Sequence, residues 1–166
     1  MEIDMSILDK KEIFRVEESS LTFEQLTNEA APEIFSGLKE KSVLILPSHG
    51  HDDVFYAGTL DTLDFLNENG INTDVYASDE EYKELGLHGA EFWLGTFIIQ
   101  GIVVPVFCGV ISSYIYDKLK AKDDDNIALK FMVENKEGKT TAIEFNGKVE
   151  NLSKAIDAVK NLSDED

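Results

Sequence analysis

A stretch of 25 residues without a formal charge, Phe92 to Tyr116, limits the folds open to this chain more than any other feature. About 20 apolar residues suffice to cross a bilayer as a helix, so the stretch is long enough to span one. Its glycines and Pro105 are tolerated better in membrane helices than in soluble ones. Lys118, Lys120 and Lys122 would hold its carboxyl end in the cytoplasm, and the first 90 residues would then require export. A membrane-anchored subunit is therefore one hypothesis.

The alternative is a buried pair of helices, bent at Pro105, that covers a sheet or enters a partner. A helix that is apolar all round must be buried on every side in a soluble protein. A chain of 166 residues has little interior in which to surround such a segment, so part of it is expected to meet another protein. That partner is either a different subunit or another copy of the chain. The residues predicted to form the interface are Ile102, Val103, Val106, Phe107 and Ile111.

The charge of the chain excludes one large class of partners. It carries 33 acidic and 15 basic residues, for a net charge of −18, and Arg15 is its single arginine. Phosphate recognition uses arginine forks and basic stripes, so direct nucleic-acid binding is not expected. The acids are spread along the whole chain, which is typical of a soluble surface. Acids gathered on one folded face would instead indicate an inhibitor or a mimic of DNA.

The chain start and the cysteine content favour a cytoplasmic protein, membrane-associated if the apolar stretch inserts. Residues 1–4 lack the basic stretch and apolar run of a secretory signal. Cys108 is the single cysteine, so no internal disulfide can form, which suits a reducing compartment. Because it lies within the apolar stretch, Cys108 is predicted to be a small core residue.

A strand, a helix and a second strand follow one another in the first half of the chain. Residues 43–46 are a short apolar run, typical of a strand buried on both faces. A helix is predicted from Asp52 to Asn69 with Gly70 as its stop, and residues 71–77 then alternate as a strand. This βαβ unit predicts an α/β fold with a parallel or mixed sheet. The capping pattern of residues 78–81 predicts a short acidic helix after it.

Further signals precede this unit. Residues 12–18 are predicted to form a first strand. Thr22 and Gln25 have the spacing of a capping box, in which two side chains satisfy free N–H groups at the start of a helix. A helix is therefore expected from about residue 23 to residue 40, interrupted near Pro32.

A charged connector, residues 118–125, marks a predicted boundary. Before it lies an α/β domain, residues 1–122, which includes the apolar helical segment 92–116. After it lies a ββα module, residues 127–162, followed by the acidic tail 163–166. A hairpin and one helix are too small to be stable alone, so the module is expected to dock on the domain or on another chain. The apolar face of its helix is predicted to consist of Val149, Leu152, Ala155, Ile156 and Val159.

The loop after the first apolar strand contains the one group of residues that could carry chemistry. Ligands bind at the carboxyl ends of strands in open α/β sheets, and an H-x-H pair offers two imidazoles to one metal ion. Residues 44–58 resemble the first metal motif of the metallo-β-lactamase superfamily, H-x-H-x-D-H, which His49, His51 and Asp53 match. Val54 stands in place of the last histidine. The resemblance implies a metal-dependent hydrolase with these three residues as ligands.

A second interpretation of the loop needs no metal. Asp52 or Asp53 would be the N-cap of the following helix, and the remaining polar residues would lie in solvent. Only His88 remains downstream as a further histidine ligand. On this interpretation the protein has no cofactor and no catalytic residue.

The order of elements in the second half suggests a role in an assembly. Residues 101–119 together with residues 129–158 resemble accessory components of prokaryotic conflict systems, which defend against phages. The resemblance implies a subunit whose chemistry is supplied by a separate effector. We therefore expect a non-catalytic accessory subunit that binds a protein partner through its apolar segment.

Overall fold

A computed structural model describes residues 12–30, 32–38, 40–47, 54–78, 82–85 and 91–163. Within these residues the chain is mixed α/β, as predicted. The strands are β1 (Ile13–Ser19), β2 (Val43–Leu46), β3 (Val54–Tyr56), β4 (Thr73–Val75), β5 (Lys83–Leu85), β6 (Glu91–Gln100), β7 (Asn126–Glu134) and β8 (Thr140–Lys148). The helices are α1 (Phe23–Glu29), α2 (Pro32–Leu38), α3 (Thr59–Glu68), α4 (Val104–Ser113) and α5 (Ser153–Lys160). A 3₁₀ turn and a π-helical turn extend α4 to a continuous helical segment, Gly101–Lys118.

Six strands form one mixed sheet in the order β1-β8-β7-β6-β2-β4. β2 and β4 are parallel and α3 lies between them in the chain, which confirms the predicted βαβ unit. β6 and β7 are also parallel and are joined through α4, so the sheet contains a second crossover unit. The other neighbours pair in antiparallel fashion. β3 and β5 form a separate two-stranded parallel sheet.

Helices cover both faces of the large sheet. Successive side chains of a strand point to opposite faces. Val43 and Ile45 therefore enter the larger core, under α3, α4 and α5, whereas Leu44 enters the smaller core, under α1 and α2. α4 packs against both α3 and α5, so it is the middle helix of the three-helix layer. The apolar segment therefore contacts both other helices of this layer.

The structure corrects the prediction for the first half of the apolar stretch, residues 92–100. This half is not helical but forms β6, between β7 and β2 in the sheet. Residues 96–99 are β-branched or aromatic, which favours a strand, and Gly95 at φ +110° lies where the register with β7 shifts. The long apolar helix is confirmed for the second half. Pro105 lies in its first turn, where a proline has no intrahelical hydrogen bond to lose.

The helix predicted to start at Asp52 begins later, at Thr59. β3 occupies part of the expected first turns and pairs with β5. Gly58, at φ +92°, is the N-cap, so the capping role expected of Asp52 or Asp53 is wrong. The acidic helix predicted after the capping pattern at 78–81 is also wrong over residues 83–85, which form β5.

The predictions for the amino-terminal elements are confirmed. β1 lies at the expected place. Thr22 caps α1, because its hydroxyl oxygen accepts a hydrogen bond from the backbone N–H of Gln25 at 3.1 Å. The predicted interruption falls between α1 and α2, and Pro32 is the first residue of α2. Both helices pack over the smaller core.

The carboxyl-terminal hairpin and helix are confirmed as secondary structure. The Asn135 side-chain oxygen closes the hairpin by accepting the N–H groups of Glu137 and Lys139, each at 3.0 Å. β7 pairs with β6 and β8 pairs with β1, so the connector 118–125 joins two parts of one sheet. The predicted helix face is buried throughout, at Val149, Leu152, Ala155, Ile156 and Val159.

Candidate protein-binding surface

Among the residues whose side chains the structure describes, the exposed large apolar ones lie on one side of the sheet. On β1, Phe14 lies opposite Phe145, whose side chain enters the larger core, and directly paired residues point to the same face. Val16 lies opposite Ile143 in the same way. The others belong to α3 and to the Gly101–Lys118 segment of the same layer. Within these described side chains the set is Phe14, Val16, Leu60, Ile102, Val106 and Tyr116.

The α4 segment presents a row of uncharged residues to solvent. Ile102 is 67% exposed, Val106 is 56% exposed and Tyr116 is 44% exposed. Gly109, which is exposed, and Ser113, which is partly buried, lie between them. The successive spacings are four, three, four and three residues, which is the heptad spacing of a seam between two helices. These five residues are called the α4 ridge below.

Charged stripes flank the ridge on both sides. α3 and α5 lie next to α4 and turn their own charged residues outward. An uncharged centre with a charged rim is the usual anatomy of a protein–protein interface. The exposed charges are Asp61, Asp64 and Glu68 on α3, and Lys154, Asp157 and Lys160 on α5.

A groove of about 460 Å³ opens at the amino end of the ridge, where β6 and β7 end. Two of its polar side chains, Glu134 and Gln100, already form hydrogen bonds within the protein. The Glu134 carboxylate accepts the backbone N–H of Phe23 at 2.6 Å, and the Gln100 amide donates to the carbonyl oxygen of Lys41 at 3.2 Å. The groove extends the candidate surface beyond the helix. It is lined by Gln100, Ile102, Glu134, Asn135 and Lys136.

The opposite side of the α4 segment is part of the larger core. The Phe107 ring packs against Phe97 of β6 and Phe131 of β7, with ring centroids 5.8 and 5.5 Å apart. Aromatic pairs at this separation add to the stabilisation from burial alone. The ridge is therefore held on a rigid support. The buried side chains on this side are Val104, Phe107, Cys108, Ile111, Tyr114 and Ile115.

A hydrogen bond fixes the position of α4 relative to α3. The Tyr114 hydroxyl donates to Oδ2 of Asp61 at 2.8 Å, and Oδ1 of Asp61 lies 3.6 Å from Nζ of Lys118. The Tyr114 ring also contacts the ring of Phe65, with centroids 5.2 Å apart. Burial raises the pKa of Tyr114 to about 12, and the hydrogen bond to the carboxylate acts in the same direction. Tyr114 therefore stays a neutral donor over the ordinary pH range.

Cys108 is a core residue, as predicted. Its side chain is 1% exposed. Burial raises the pKa of its thiol to about 11. Since the thiolate is the nucleophile, a buried and protonated thiol is unreactive. Cys108 is therefore not a candidate for chemistry.

The structure separates the five residues predicted to form the interface. Ile102 and Val106 lie together on the exposed ridge. Val103 is partly buried and packs against the larger core. Phe107 and Ile111 are wholly buried and face the sheet. The predicted stripe therefore combined both sides of one helix.

Sequence reasoning missed the remaining ridge residues. The signal that could have found them is the four-three-four-three spacing, which begins at Ile102 and Val106. This spacing is hard to recognise in the sequence, because the buried and the exposed positions of the helix have similarly apolar residues. The residues missed are Gly109, Ser113 and Tyr116.

The predicted metal ligands His49, His51 and Asp53 lie outside the described residues. In the part of the chain that the structure describes, no group of three or more His, Cys, Asp or Glu residues is placed to hold a metal ion. The hydrolase hypothesis is therefore left to experiment.

Gly101–Lys118 is the one helix in the described residues that is long and apolar enough to cross a membrane. In this fold its inner side chains fill the larger core, so the segment is used as a core helix with an exposed outer face. Comparison of the chain with protein-family models, with curated proteins and with solved structures gives no match.

Proposed function

We propose that this protein is a non-catalytic subunit that binds another protein chain through the α4 ridge and the surface around it. The observation that supports this most is the one-sided placement of the large apolar side chains that the structure describes as exposed. Isolated exposed apolar residues are normal on protein surfaces, whereas several on one helix, as Ile102, Val106 and Tyr116 are, mark a candidate interaction site.

The contrast between α4 and its neighbours supports the same proposal. The outer faces of α3 and α5 are charged, as solvated helix faces usually are. The ridge between them has no charge from Ile102 to Tyr116, although 29% of the whole chain is charged. A helix that needed only a solvated outer face would not require this composition.

A finer proposal is that the assembly is a prokaryotic phage-defence complex in which another subunit performs the chemistry. Its support is the order of elements that suggested the resemblance, namely an apolar helix, a charged connector, a hairpin and a final helix. α4, residues 118–125, β7–β8 and α5 follow one another in this order.

Affinity capture with matched variants tests the proposal. The tagged chain is expressed in cells of its source organism, and the recovered proteins are quantified for wild type, Val106→Asp and Ser36→Asp. Ser36 is exposed on α2, on the other side of the sheet, so its substitution adds the same charge away from the ridge.

Val106→Asp should lower recovery of the specific partner by at least about tenfold, because a buried unpaired carboxylate costs several kcal/mol. Ser36→Asp should leave the recovery unchanged. Equal recovery by wild type and Val106→Asp would contradict the proposal.

A further inference from the structure

We infer that the α4 ridge binds a second copy of this chain, with the two α4 helices parallel and related by a two-fold axis that runs along them. This inference rests on the proposed function and specifies the partner. Two-fold dimers are the commonest protein assemblies, and each presents the same patch from both subunits. Such pairing requires a patch that is complementary to itself.

The ridge has the spacing and the side-chain sizes that self-pairing requires. In a parallel pair each residue of a heptad seam meets its own copy. Gly109 and Ser113, in the carboxyl-terminal half of the ridge, are small and let the two backbones approach each other. A Cβ built on Gly109 would meet nothing within 4 Å, so the space outside it is open in the single chain. Ile102 and Tyr116 at the two ends supply larger apolar contacts.

The flanking charges distinguish a parallel pair from an antiparallel one. A two-fold axis along α4 places α3 of one subunit opposite α5 of the other. Acidic side chains of α3 then face the mixed stripe of α5, in which Lys160 lies beside Asp157 and Lys154 is paired with Glu12 at 2.7 Å. A two-fold axis across α4 would place α3 opposite α3, with carboxylates facing carboxylates. Charge complementarity therefore favours the parallel arrangement.

One pair of opposite charges, Glu68 and Lys160, is placed to approach across the parallel pair. α3 runs opposite to α4, because Asp61 contacts Lys118 while Phe65 contacts Tyr114. Glu68, three residues after Phe65, therefore lies about 4.5 Å further toward the amino end of α4 than Phe65 does, at about the level of Ile111. Lys160 and Asp157 of α5 are both close enough to Cys108 for their charges to act on the thiol. In the parallel dimer Glu68 of one subunit faces this part of α5 of the other, where Lys160 supplies the opposite charge.

The overall charge does not oppose this particular contact. The net charge of −18 disfavours self-association through most of the surface. The ridge itself carries no charge, so the two copies meet where repulsion is weakest.

Sedimentation velocity of the purified full chain tests for the dimer. Wild type and Ser36→Asp should sediment as dimers. Val106→Asp should sediment as a monomer with an unchanged circular dichroism spectrum, because Val106 is exposed in the single chain. Ile102→Lys should have the same effect, since it places a charge at the next position of the seam.

Two further variants test the arrangement. Val106→Cys in a Cys108→Ala background should form an intermolecular disulfide on oxidation, since in a parallel pair residue 106 meets its own copy. Glu68→Lys and Lys160→Glu should each weaken the dimer severalfold, and the double variant should restore it. Formation of no disulfide by Val106→Cys, or no rescue in the double variant, would overturn the parallel arrangement.

A monomeric wild type at every concentration examined would overturn the self-pairing. If Val106→Asp still lost captured proteins in that case, the proposed function would stand with a different partner. Flotation of monomeric wild type with zwitterionic phosphatidylcholine vesicles, lost in Val106→Asp, would also overturn the self-pairing and assign the ridge to a membrane surface.

Discussion

Val106 and Phe107 are neighbours in the chain but lie on opposite sides of α4. Val106 is 56% exposed on the outer layer, whereas Phe107 is wholly buried between the helix and the sheet. One residue therefore belongs to the candidate binding surface and the next to the core. Because the two roles are separated at this point, substitutions can change one and leave the other intact.

Truncation of Phe107 should destabilise the fold much more than truncation of Val106. Phe107→Ala should lower the free energy of unfolding by about 3–5 kcal/mol, because it leaves a cavity among Phe97 and Phe131. Val106→Ala should change it by no more than about 0.5 kcal/mol, since the side chain is largely in solvent. Urea unfolding of monomeric protein, in an Ile102→Lys background, provides the measurement. Similar losses for both variants would show that the assignment of the two sides is wrong.

Cys108 should be protected from thiol reagents in the native protein. Its side chain is 1% exposed and burial raises the pKa of its thiol to about 11, so neither access nor the thiolate is available. Ellman's reagent should react with less than a stoichiometric amount of thiol in buffer and with one thiol per chain in concentrated urea. Rapid full reaction in buffer would contradict the burial of this side of α4.

The protein should lose stability as the pH rises above about 9. In the folded state burial raises the pKa of Cys108 from 9.0 to about 11 and that of Tyr114 from 10.0 to about 12. Between the unfolded and folded values the unfolded chain has lost protons that the folded chain still binds, so unfolding becomes more favourable with rising pH. Below pH 9 these two groups should contribute no pH dependence.

Urea unfolding at pH 8 and at pH 11 measures the effect. Cys108→Ala and Tyr114→Phe should each reduce the loss of stability between the two pH values, since each removes one of the groups. A free energy of unfolding that is equal at both pH values would contradict the assigned burial of both groups.

The purified protein should contain well under one equivalent of zinc. A zinc site usually needs three or four protein ligands, and His49, His51 and Asp53 are the candidates in the predicted loop. The chain has one further histidine, His88, and its single cysteine is buried in the core. His49→Ala with His51→Ala should therefore leave the thermal unfolding temperature nearly unchanged. One equivalent of zinc by elemental analysis, lost in the double variant, would support the hydrolase hypothesis instead.

Parts of the fold that depend on local signals could be predicted from the sequence. The cap at Thr22, the interruption before Pro32 and the buried strand at 43–46 each follow from a few adjacent residues. β6 could not be assigned as readily, because a fully apolar strand and a buried helix share the same composition. The strand ends at Gln100 and the helical segment begins at Gly101. This glycine was the available sign of a boundary within the apolar stretch.

The binding surface could be predicted only in part, for a different reason. Ile102 and Val106 were identified because they are apolar, as were Phe107 and Ile111. Which of them face solvent depends on the position of α4 between α3 and α5 and over the sheet. That position is set by contacts between distant parts of the chain, such as the hydrogen bond from Tyr114 to Asp61.

Alkylation footprinting in cells tests most directly whether the ridge is covered by a protein. Val106→Cys and Ser36→Cys are each placed in the Cys108→Ala background. The alkylation rate of each thiol is measured in cells and in the isolated protein. Only the isolated protein carries the additional substitution Ile102→Lys, which keeps it monomeric. The variants expressed in cells retain Ile102. There the alkylation rate of Val106→Cys should be at least about tenfold lower than in the isolated monomer, because a partner covers this position. The rate for Ser36→Cys, on the other side of the sheet, should stay nearly the same. Equal rates for Val106→Cys in cells and in the isolated monomer would contradict the central claim that this protein works by binding another chain through the α4 ridge.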